Sequence, residues 1–250
     1  MIRKLDDKVA VVTGATTGIG LGIAQEFAAE GATVFITGRR QEELDAAVEV
    51  TGPNAVGIRC DSSKLEDLDR LYDAVRQRAS RIDIVVANAG GGSFQLLGAI
   101  TEEEFDKTFA TNVKGTLFTV QKALPLLRDG GAIILTSSTS TTRALPAFSV
   151  YAATKAAIRN FARHWILDLQ DRHIRVNALS PGPTVTPGLK GLTGSETEWQ
   201  KMQANLIAQI PLGRIADPRE IGRAAVFLAS DDASFVNGVE LFVDGGMAQI

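Results

Sequence analysis

The chain has 250 residues, of which 45% are hydrophobic and 22% charged, and its formal net charge at pH 7 is −3. This length and composition predict a single domain over residues 1–250 with a sizeable core, and the slight acidity gives no electrostatic basis for binding nucleic acid or a membrane. No apolar run approaches the ~20 residues that span a bilayer, and residues 1–7 lack the apolar core of a signal peptide. The single cysteine, Cys60, allows no internal disulfide. We therefore expect a cytoplasmic protein.

The N-terminal segment has the pattern of a strand, a glycine-rich turn and a helix. Residues 8–13 are apolar, β-branched and too short for a helix. They lead into the sequence Gly14-Ala-Thr-Thr-Gly-Ile-Gly20, and the helix that follows has Ile19, Ile23 and Phe27 on one face. Glycine lets the backbone approach a ligand, and a helix N-terminus offers free N–H groups to a pyrophosphate. We predict a dinucleotide site here; a plain tight turn is the alternative.

The second strand, over residues 33–37, is followed by Gly38, Arg39 and Arg40. In NAD sites an acidic residue near this strand end binds the adenosine ribose hydroxyls. Arginine instead suits a 2′-phosphate, so the pattern favours NADP(H), with NAD(H) as the alternative cofactor. Arg39 is the better candidate because it is nearer the strand. The alternative interpretation is a solvent-exposed start of a helix, in which the following glutamates balance the charge of the arginines.

The rest of the chain alternates short apolar strands with helix-favouring segments. Strands are predicted over residues 55–60, 82–87, 132–136, 174–179 and 239–243, and helices over 65–79, 103–127, 150–171, 195–209 and 219–229. This alternation predicts an α/β fold, a single-domain Rossmann-type doubly wound parallel sheet of about seven strands with helices on both faces. A cofactor would then lie beyond the carboxyl ends of the strands.

A tyrosine and a lysine share a helix face in the second half of the chain. Tyr151 begins an alanine-rich, helix-favouring segment, Lys155 lies four residues later, and Ser138 lies thirteen residues before the tyrosine. A phenol with an ordinary pKa of ~10 is a poor acid or base at neutral pH, and a nearby cation lowers that pKa. The pattern indicates proton transfer to or from an oxygen. A solvated tyrosine–lysine pair without function is the alternative.

These motifs, in this order and spacing, make the whole chain resemble the compact short-chain dehydrogenase/reductases. The resemblance rests on Thr13–Gly20, Ala87–Gly90, Asn112, Ser138, Tyr151 with Lys155, Pro181-Gly182 with Thr186, and Asp244–Gly246. One departure is Ala87, where asparagine is commoner in the family; the following Asn88 is retained. Ser137 and Ser140 flank Ser138, and only the family spacing selects among the three serines.

The resemblance implies an NADP(H)-preferring oxidoreductase that interconverts a ketone or other carbonyl compound and a secondary alcohol by hydride transfer. Tyr151 would act as general acid/base, and Ser138 would hydrogen-bond the same substrate oxygen. Lys155 would lower the pKa of the tyrosine and bind the nicotinamide ribose. Asn112 would anchor a water in a proton relay. The implied partners are a small carbonyl or alcohol substrate and three further copies of the chain, in a homotetramer joined through residues 108–127, 151–171 and the C-terminal strand.

The cofactor-binding residues implied by the motifs come from six segments. They are Gly14, Thr17, Gly18, Ile19 and Gly20; Arg39 and Arg40; Asp61 and Ser62; Asn88, Ala89 and Gly90; Tyr151 and Lys155; and Pro181, Gly182, Thr184 and Thr186. A loop over residues 183–205 is rich in Gly, Pro and Thr, and we expect it to form a lid over the substrate, a plain surface loop being the alternative. Substrate contacts are expected from residues 92–94, 139–146 and 183–192. For Phe94 and Leu145 the alternative interpretation is that the side chain belongs to the hydrophobic core.

Other classes of site find less support. His164 and His173 are the only histidines, with no thiolate cluster beside them, so no metal site is predicted. A nucleophile elbow of the Gly-x-Ser-x-Gly type does not occur, and Cys60 is expected to be an inert core thiol. The alternatives on the same fold are a non-catalytic NADP(H)-binding sensor or interaction protein, and an enzyme of epimerisation or dehydration. The sequence leaves the substrate itself open.

Overall fold

A parallel sheet of seven strands forms the centre of the molecule in the computed structural model, which describes residues 3–250. The strands are β1 (Val9–Val12), β2 (Thr33–Gly38), β3 (Ala55–Arg59), β4 (Ile82–Ala87), β5 (Leu127–Thr136), β6 (Arg175–Pro181) and β7 (Glu240–Val243). Their order across the sheet is β3-β2-β1-β4-β5-β6-β7. The order reverses between β1 and β4, which pair in parallel with Ala10 opposite Ile84. Such a reversal opens a crevice at the carboxyl ends of the two strands.

Helices cover both faces of this sheet. They are α1 (Gly18–Ala29), α2 (Gln41–Thr51), α3 (Leu65–Arg78), α4 (Glu102–Phe109), α5 (Gly115–Ala123), α6 (Ser149–Asp168), α7 (Pro187–Lys190), α8 (Glu196–Ile207) and α9 (Pro218–Ala229). A π-helical turn, Ala110–Lys114, joins α4 to α5. The predicted fold class is confirmed. Within residues 3–250, no helix is both long enough and apolar enough to cross a bilayer.

Alternation along each buried strand builds two separate cores. Val12 of β1 packs with Phe27 of α1 on one face of the sheet, in the core that α1 and α9 cover. Val11, the next side chain, packs with Leu71 of α3 on the other face. Because both faces are covered, the strands need apolar residues at successive positions, and this is why they are visible in the sequence as short, continuous apolar runs.

The helix predicted over residues 103–127 differs from the structure. The π-helical turn interrupts it around Asn112, and α5 ends at Ala123. Pro125 explains the early end, since proline restricts the residue before it and cannot continue the helical hydrogen bonds. Strand β5 then begins at Leu127, which pairs with Ile82. The strand therefore starts five residues earlier than its predicted beginning at 132.

The segment predicted as a loop over residues 183–205 contains the short helix α7 and most of α8. Trp199 of α8 is buried in a small apolar cluster with Ile210, Ile215 and Met247. This cluster attaches the segment to the C-terminal tail, beside the carboxyl end of β7. The lid function of the segment stays a prediction.

Candidate functional site

A cavity of about 540 Å³ lies at the carboxyl ends of the strands, at the crevice between β1 and β4. Ten of the residues predicted for the site line it: Gly14, Thr17, Arg39, Arg40, Asp61, Ser62, Asn88, Ala89, Gly90 and Asn112. Gly92 and Ser93, predicted as substrate contacts, line it too. The sequence reasoning missed the lining residues Thr16, Gly38, Glu43, Cys60, Gly91, Glu104, Lys107, Thr108 and Thr111. Most of these directly neighbour predicted residues in the chain, and that adjacency is the signal that could have found them.

The glycine-rich turn leaves a helix N-terminus open at the cavity. Gly14 and Gly18 have φ of +63° and +57°, the left-handed region in which a side chain is strained. No side chain caps the first turn of α1, whereas Ser195 and Asp217 cap α8 and α9 with hydrogen bonds. The first N–H groups of α1 are thus available to an anion. This uncapped terminus beside a roomy cavity fits the pyrophosphate of a dinucleotide.

Asn88 braces the glycine-rich turn from β4. Its Nδ2 donates to the carbonyl oxygens of Thr13 and Gly14, both at 3.0 Å. The hydroxyl of Thr13, in turn, accepts the backbone N–H groups of Asn88 at 3.0 Å and Ala89 at 3.2 Å. A Cβ on Gly20 would lie 2.5 Å from this Nδ2, so only glycine fits there. Thr13, which was not predicted as a site residue, is therefore the partner that holds β1 and β4 together beneath the cavity.

Two arginines at the end of β2 differ in what they contact. Nη2 of Arg40 lies 2.5 Å from Oε2 of Glu43, an exposed ion pair within the first turn of α2. Within residues 3–250, the guanidinium of Arg39 has no acceptor at hydrogen-bond distance; only its backbone oxygen is bonded, to Nε of Arg59 at 3.1 Å. Arg39 thus presents the uncommitted cation at the cavity wall.

The third strand ends in a polar turn next to a buried thiol. Oδ1 of Asp61 accepts the N–H and the hydroxyl of Ser63, at 3.1 and 2.7 Å, while Ser62 is buried. Burial, and secondarily the carboxylates of Asp67 and Asp61, raises the pKa of the Cys60 thiol to about 12. At neutral pH this cysteine stays protonated and unreactive, as an inert core thiol would.

Tyr151 and Lys155 lie in the first two turns of α6. The ring of Tyr151 stacks on Phe148 with a centroid distance of 4.4 Å, and Nζ of Lys155 lies 5.5 Å from the centroid of the tyrosine ring. Lys155 is only 3% exposed, and its Nζ donates to the carbonyl of Thr136 at 2.8 Å. Burial lowers the pKa of Lys155 to about 8.

The pKa of Tyr151 moves in the direction opposite to the expected one. Burial raises it above the ordinary phenol value, and the contribution that lowers it comes from hydrogen bonding with Ser138, not from Lys155. The reason is that partial enclosure disfavours the phenolate, while the ammonium is held by a backbone carbonyl and lies beside the ring face. In the protein chain by itself, the expected lowering of this pKa by Lys155 is absent.

The structure separates the three neighbouring serines. Hydrogen bonding with Ser138 lowers the pKa of Tyr151, and Oγ of Ser138 accepts the N–H of Ser140 at 3.2 Å. Ser137 points inward and donates its hydroxyl to the carbonyl of Lys155 at 3.2 Å. Oγ of Ser140 is buried without a partner among residues 3–250. Ser138 is therefore the candidate partner of Tyr151 among the three serines, and its role in the site stays a prediction.

Asn112, fully buried in the π-helical turn, ties three segments together. Its Nδ2 donates to the carbonyl of Gly91 and to Oγ1 of Thr154, both at 2.9 Å, and its Oδ1 accepts the N–H of Gly91 at 3.0 Å. A Cβ on Gly90 would lie 3.0 Å from Oδ1 of Asn112 and 3.4 Å from Nζ of Lys155. Both amide hydrogens are committed, so a relay water at this side chain would use the second lone pair of Oδ1.

The remaining predicted cofactor residues lie outside the cavity lining. Thr186 reaches back to the glycine-rich turn, where a Cβ on Gly18 would lie 3.0 Å from its Cγ2. Thr184 is buried and donates its hydroxyl to the carbonyl of Gly182 at 3.0 Å. Pro181 ends β6, and Ile19 packs against the core under α1. The structure therefore brings Thr186 to the turn, while Thr184 and Ile19 face protein.

The chain is similar to several known oxidoreductases over nearly its full length. A family model described as enoyl-(acyl carrier protein) reductase matches residues 14–248. The oxidoreductase asL5 of Sarocladium schorii is 51% identical, with 100% of this chain and 99% of that protein covered. The hydroxynaphthalene reductase-like protein Arp2 of Metarhizium majus is 37% identical, with 98% and 96% covered. A short-chain type dehydrogenase/reductase from Mycobacterium marinum has a crystal structure that matches this one with a TM-score of 0.90 at 32% identity, covering 98% of this chain and 97% of that one.

Proposed function

The chain belongs to the short-chain dehydrogenase/reductase family and is an NAD(P)-dependent oxidoreductase, and we propose that it uses NADP(H) to interconvert a ketone or similar carbonyl compound and a secondary alcohol, with Tyr151 as general acid/base. The observation that carries the proposal is the convergence of Ser138, Tyr151 and Lys155, with Tyr151 and Lys155 packed against Gly92 and Gly90 of the cavity wall. Several relatives are named as reductases, which favours carbonyl reduction as the direction.

The residues divide the work as follows. A bound nicotinamide supplies the hydride, and hydride arrival builds negative charge on the substrate oxygen. Ser138 and the phenol of Tyr151 donate hydrogen bonds to that oxygen, and Tyr151 transfers its proton to it. A raised pKa keeps the tyrosine protonated, ready to act as the acid in reduction. Lys155, with its pKa near 8, is largely protonated at pH 7 and supplies a buried positive charge beside the ring. Asn112 closes the 90–92 segment against α6 and anchors the relay water.

The preference for NADP(H) rests on Arg39. Its guanidinium lies at the cavity wall without a carboxylate partner in the described part of the chain, whereas Arg40 is paired with Glu43. A free guanidinium binds a 2′-phosphate with two parallel hydrogen bonds. Asp61, by contrast, is engaged with Ser63. Arg39 is therefore the residue that we assign to the 2′-phosphate.

We propose a cytoplasmic homotetramer. Apolar side chains are exposed on α4, on α6 and just before β7, at Phe105, Leu167 and Phe235 respectively. Leu167 lies within the expected contact region 151–171, whereas Phe105 and Phe235 lie a few residues before the other two expected regions. Exposed apolar surface of this kind favours association. Sedimentation equilibrium of the pure protein tests the stoichiometry, and a monomer at micromolar concentration would contradict it.

The decisive experiment measures NADPH and NADH oxidation across ketones, aldehydes, imines and acetoacetyl thioesters. We expect Tyr151→Phe to bind NADPH normally and to lose at least about 100-fold in turnover. Tyr72→Phe is the matched control, because Tyr72 is the other tyrosine and its hydroxyl donates to the carbonyl of Thr119 away from the cavity. Turnover retained in Tyr151→Phe would refute the catalytic assignment. NADPH binding with no turnover on any compound would favour the sensor instead.

A further inference from the structure

A stack of three aromatic rings leads outward from the catalytic tyrosine. Tyr151 stacks on Phe148 at 4.4 Å between centroids, and Phe148 contacts Phe94 at 4.8 Å with an interplanar angle of 40°. Phe94, the outermost ring, is 43% exposed, so it does not belong to the core. The stack therefore continues the active site with an apolar, planar wall that ends at solvent.

Backbone contacts hold this wall in place. Gln95 donates its N–H to the carbonyl of Ala147 at 2.7 Å, which joins the segment carrying Phe94 to the segment carrying Phe148. Ala147 has φ of +60°, a conformation that costs free energy for a residue with a Cβ. Gly92 packs directly on Tyr151, and a Cβ there would lie 2.7 Å from Cδ2 of the ring. Strain and close packing thus position the rings in advance of any ligand.

The two segments of the wall carry no uncommitted cation, and Ser93, next to Phe94, donates its hydroxyl to the carboxylate of Glu104 at 2.7 Å. Leu96, Leu97 and Leu145 are exposed on the same two segments, 91–98 and 139–148. Arg143 is the one charged residue in those segments, and its Nη1 donates to the carbonyl of Met247 at 2.6 Å. Lys190 of α7, in the segment 183–192 predicted to contact the substrate, is paired with Glu196 at 2.8 Å. These segments therefore offer no free cation to a carboxylate or phosphate on the substrate. They do offer an aromatic face on which a planar, uncharged ring can pack.

We propose that Phe94 and Phe148 form a substrate subsite for an uncharged ketone conjugated to, or fused with, an aromatic ring. The ring of the substrate packs against Phe94, and its carbonyl group faces Ser138 and Tyr151. Aromatic rings in contact gain about 0.5–1.5 kcal/mol beyond the burial of their area. This inference deepens the proposed function and rests on it for turnover, although the subsite can be tested by binding alone.

The test compares 2-tetralone with 2-decalone, two bicyclic ketones that differ in whether one ring is aromatic. We expect wild-type kcat/KM to favour 2-tetralone by roughly 3- to 10-fold, the factor that corresponds to the aromatic gain. Phe94→Leu keeps an apolar side chain but removes the ring, so it should raise KM for 2-tetralone more than KM for 2-decalone and thereby abolish this preference. Phe227→Leu is the control, because Phe227 lies on α9, in neither segment of the wall, and is 37% exposed, much like Phe94. Equal effects of Phe94→Leu on the two ketones would overturn the proposal.

A binding measurement separates this proposal from the proposed function. Calorimetry of 2-naphthol with the protein in saturating NADP⁺ should give a dissociation constant that rises roughly 3- to 10-fold in Phe94→Leu and not in Phe227→Leu. Binding that is absent, or equal in wild type and Phe94→Leu, would refute the subsite whatever the turnover. Binding with the expected difference but no turnover of any ketone would support the subsite and refute the reductase.

Discussion

Nε of Arg159 lies 3.2 Å from Oε2 of Glu240, an ion pair that links α6, one turn beyond Lys155, to the first residue of β7. The other carboxylate oxygen of Glu240 accepts the hydroxyls of Ser180 at 2.7 Å and Thr141 at 2.8 Å. Thr141 belongs to the short turn that begins after Ser138. Through these contacts one carboxylate braces the turn after Ser138, the end of β6 and helix α6 against each other.

Glu240→Gln should therefore impair catalysis without impairing cofactor binding. The amide keeps the shape of the side chain but loses the charge that attracts Arg159 and both hydroxyls. We expect kcat to fall roughly tenfold through misplacement of Ser138, with little change in the dissociation constant of NADPH.

Glu26→Gln is the matched control for Glu240→Gln. Glu26 is also a buried carboxylate paired with arginine, Arg219 at 2.6 Å, but it lies between α1 and α9. Both variants should lower the melting temperature, and only Glu240→Gln should lower kcat. Equal kcat losses in the two variants would show that Glu240 acts through general stability.

Lys155→Met should stabilise the protein without cofactor while removing activity. Lys155 is buried, and no carboxylate in residues 3–250 lies within ion-pair distance of it. Its pKa of about 8, below the ordinary lysine value of 10.5, means that the unfolded state binds the proton more tightly. The charge therefore destabilises the fold fully below pH 8, and wild-type stability recovers as pH rises from about 8 to 10.5.

Thermal melts as a function of pH check the prediction for Lys155→Met. The variant should melt about 2–4 °C above wild type at pH 7, and the gap should shrink as pH rises through the window from about 8 to 10.5. Lys107→Met, which removes a lysine 71% exposed, should melt like wild type at every pH. A variant that melts below wild type at pH 7 would mean that the hydrogen bond to Thr136 outweighs the cost of burying the charge.

Arg39→Ala should weaken NADPH binding far more than NADH binding. A charge-assisted hydrogen bond contributes about 1.5–3 kcal/mol, which corresponds to a factor of roughly 10 to 100 in the dissociation constant. Arg40→Ala is the comparison, since the guanidinium of Arg40 is already paired with Glu43, and it should have the smaller effect. Fluorescence titration with both cofactors measures this. Equal losses of affinity for NADPH and NADH in Arg39→Ala would show that Arg39 does not bind the 2′-phosphate.

Gly20→Ala should damage the cofactor site through a backbone clash. The added Cβ would lie 2.3 Å from the carbonyl oxygen of Gly14 and 2.5 Å from Nδ2 of Asn88, so the glycine-rich turn must shift. We expect a loss of about 1–3 kcal/mol in folding stability and weaker binding of both NADPH and NADH. Gly188→Ala, where the nearest atom is 3.8 Å away, should change neither quantity. If Gly20→Ala bound NADPH and NADH as tightly as wild type, the glycine-rich turn would be able to shift without damage to the cofactor site.

The sequence by itself determined the seven-stranded α/β fold, because strands buried on both faces must be short apolar runs. It also placed Gly14 and Gly18, since their left-handed backbone and the open helix N-terminus are local requirements that only glycine meets at low cost. Pro125 carried a local signal as well, which would have ended α5 correctly had it been weighed.

The tertiary structure alone decided that Asn88 braces the glycine-rich turn and that Glu240 braces the turn after Ser138. It also decided that Phe94 is exposed and that the pKa of Tyr151 is raised. Each of these outcomes depends on partners far away in the chain, such as Asn88 with Gly14, or Glu240 with Thr141. Hydrogen bonds and desolvation depend on distances in space, and periodicity along a chain carries no information about which distant segments meet.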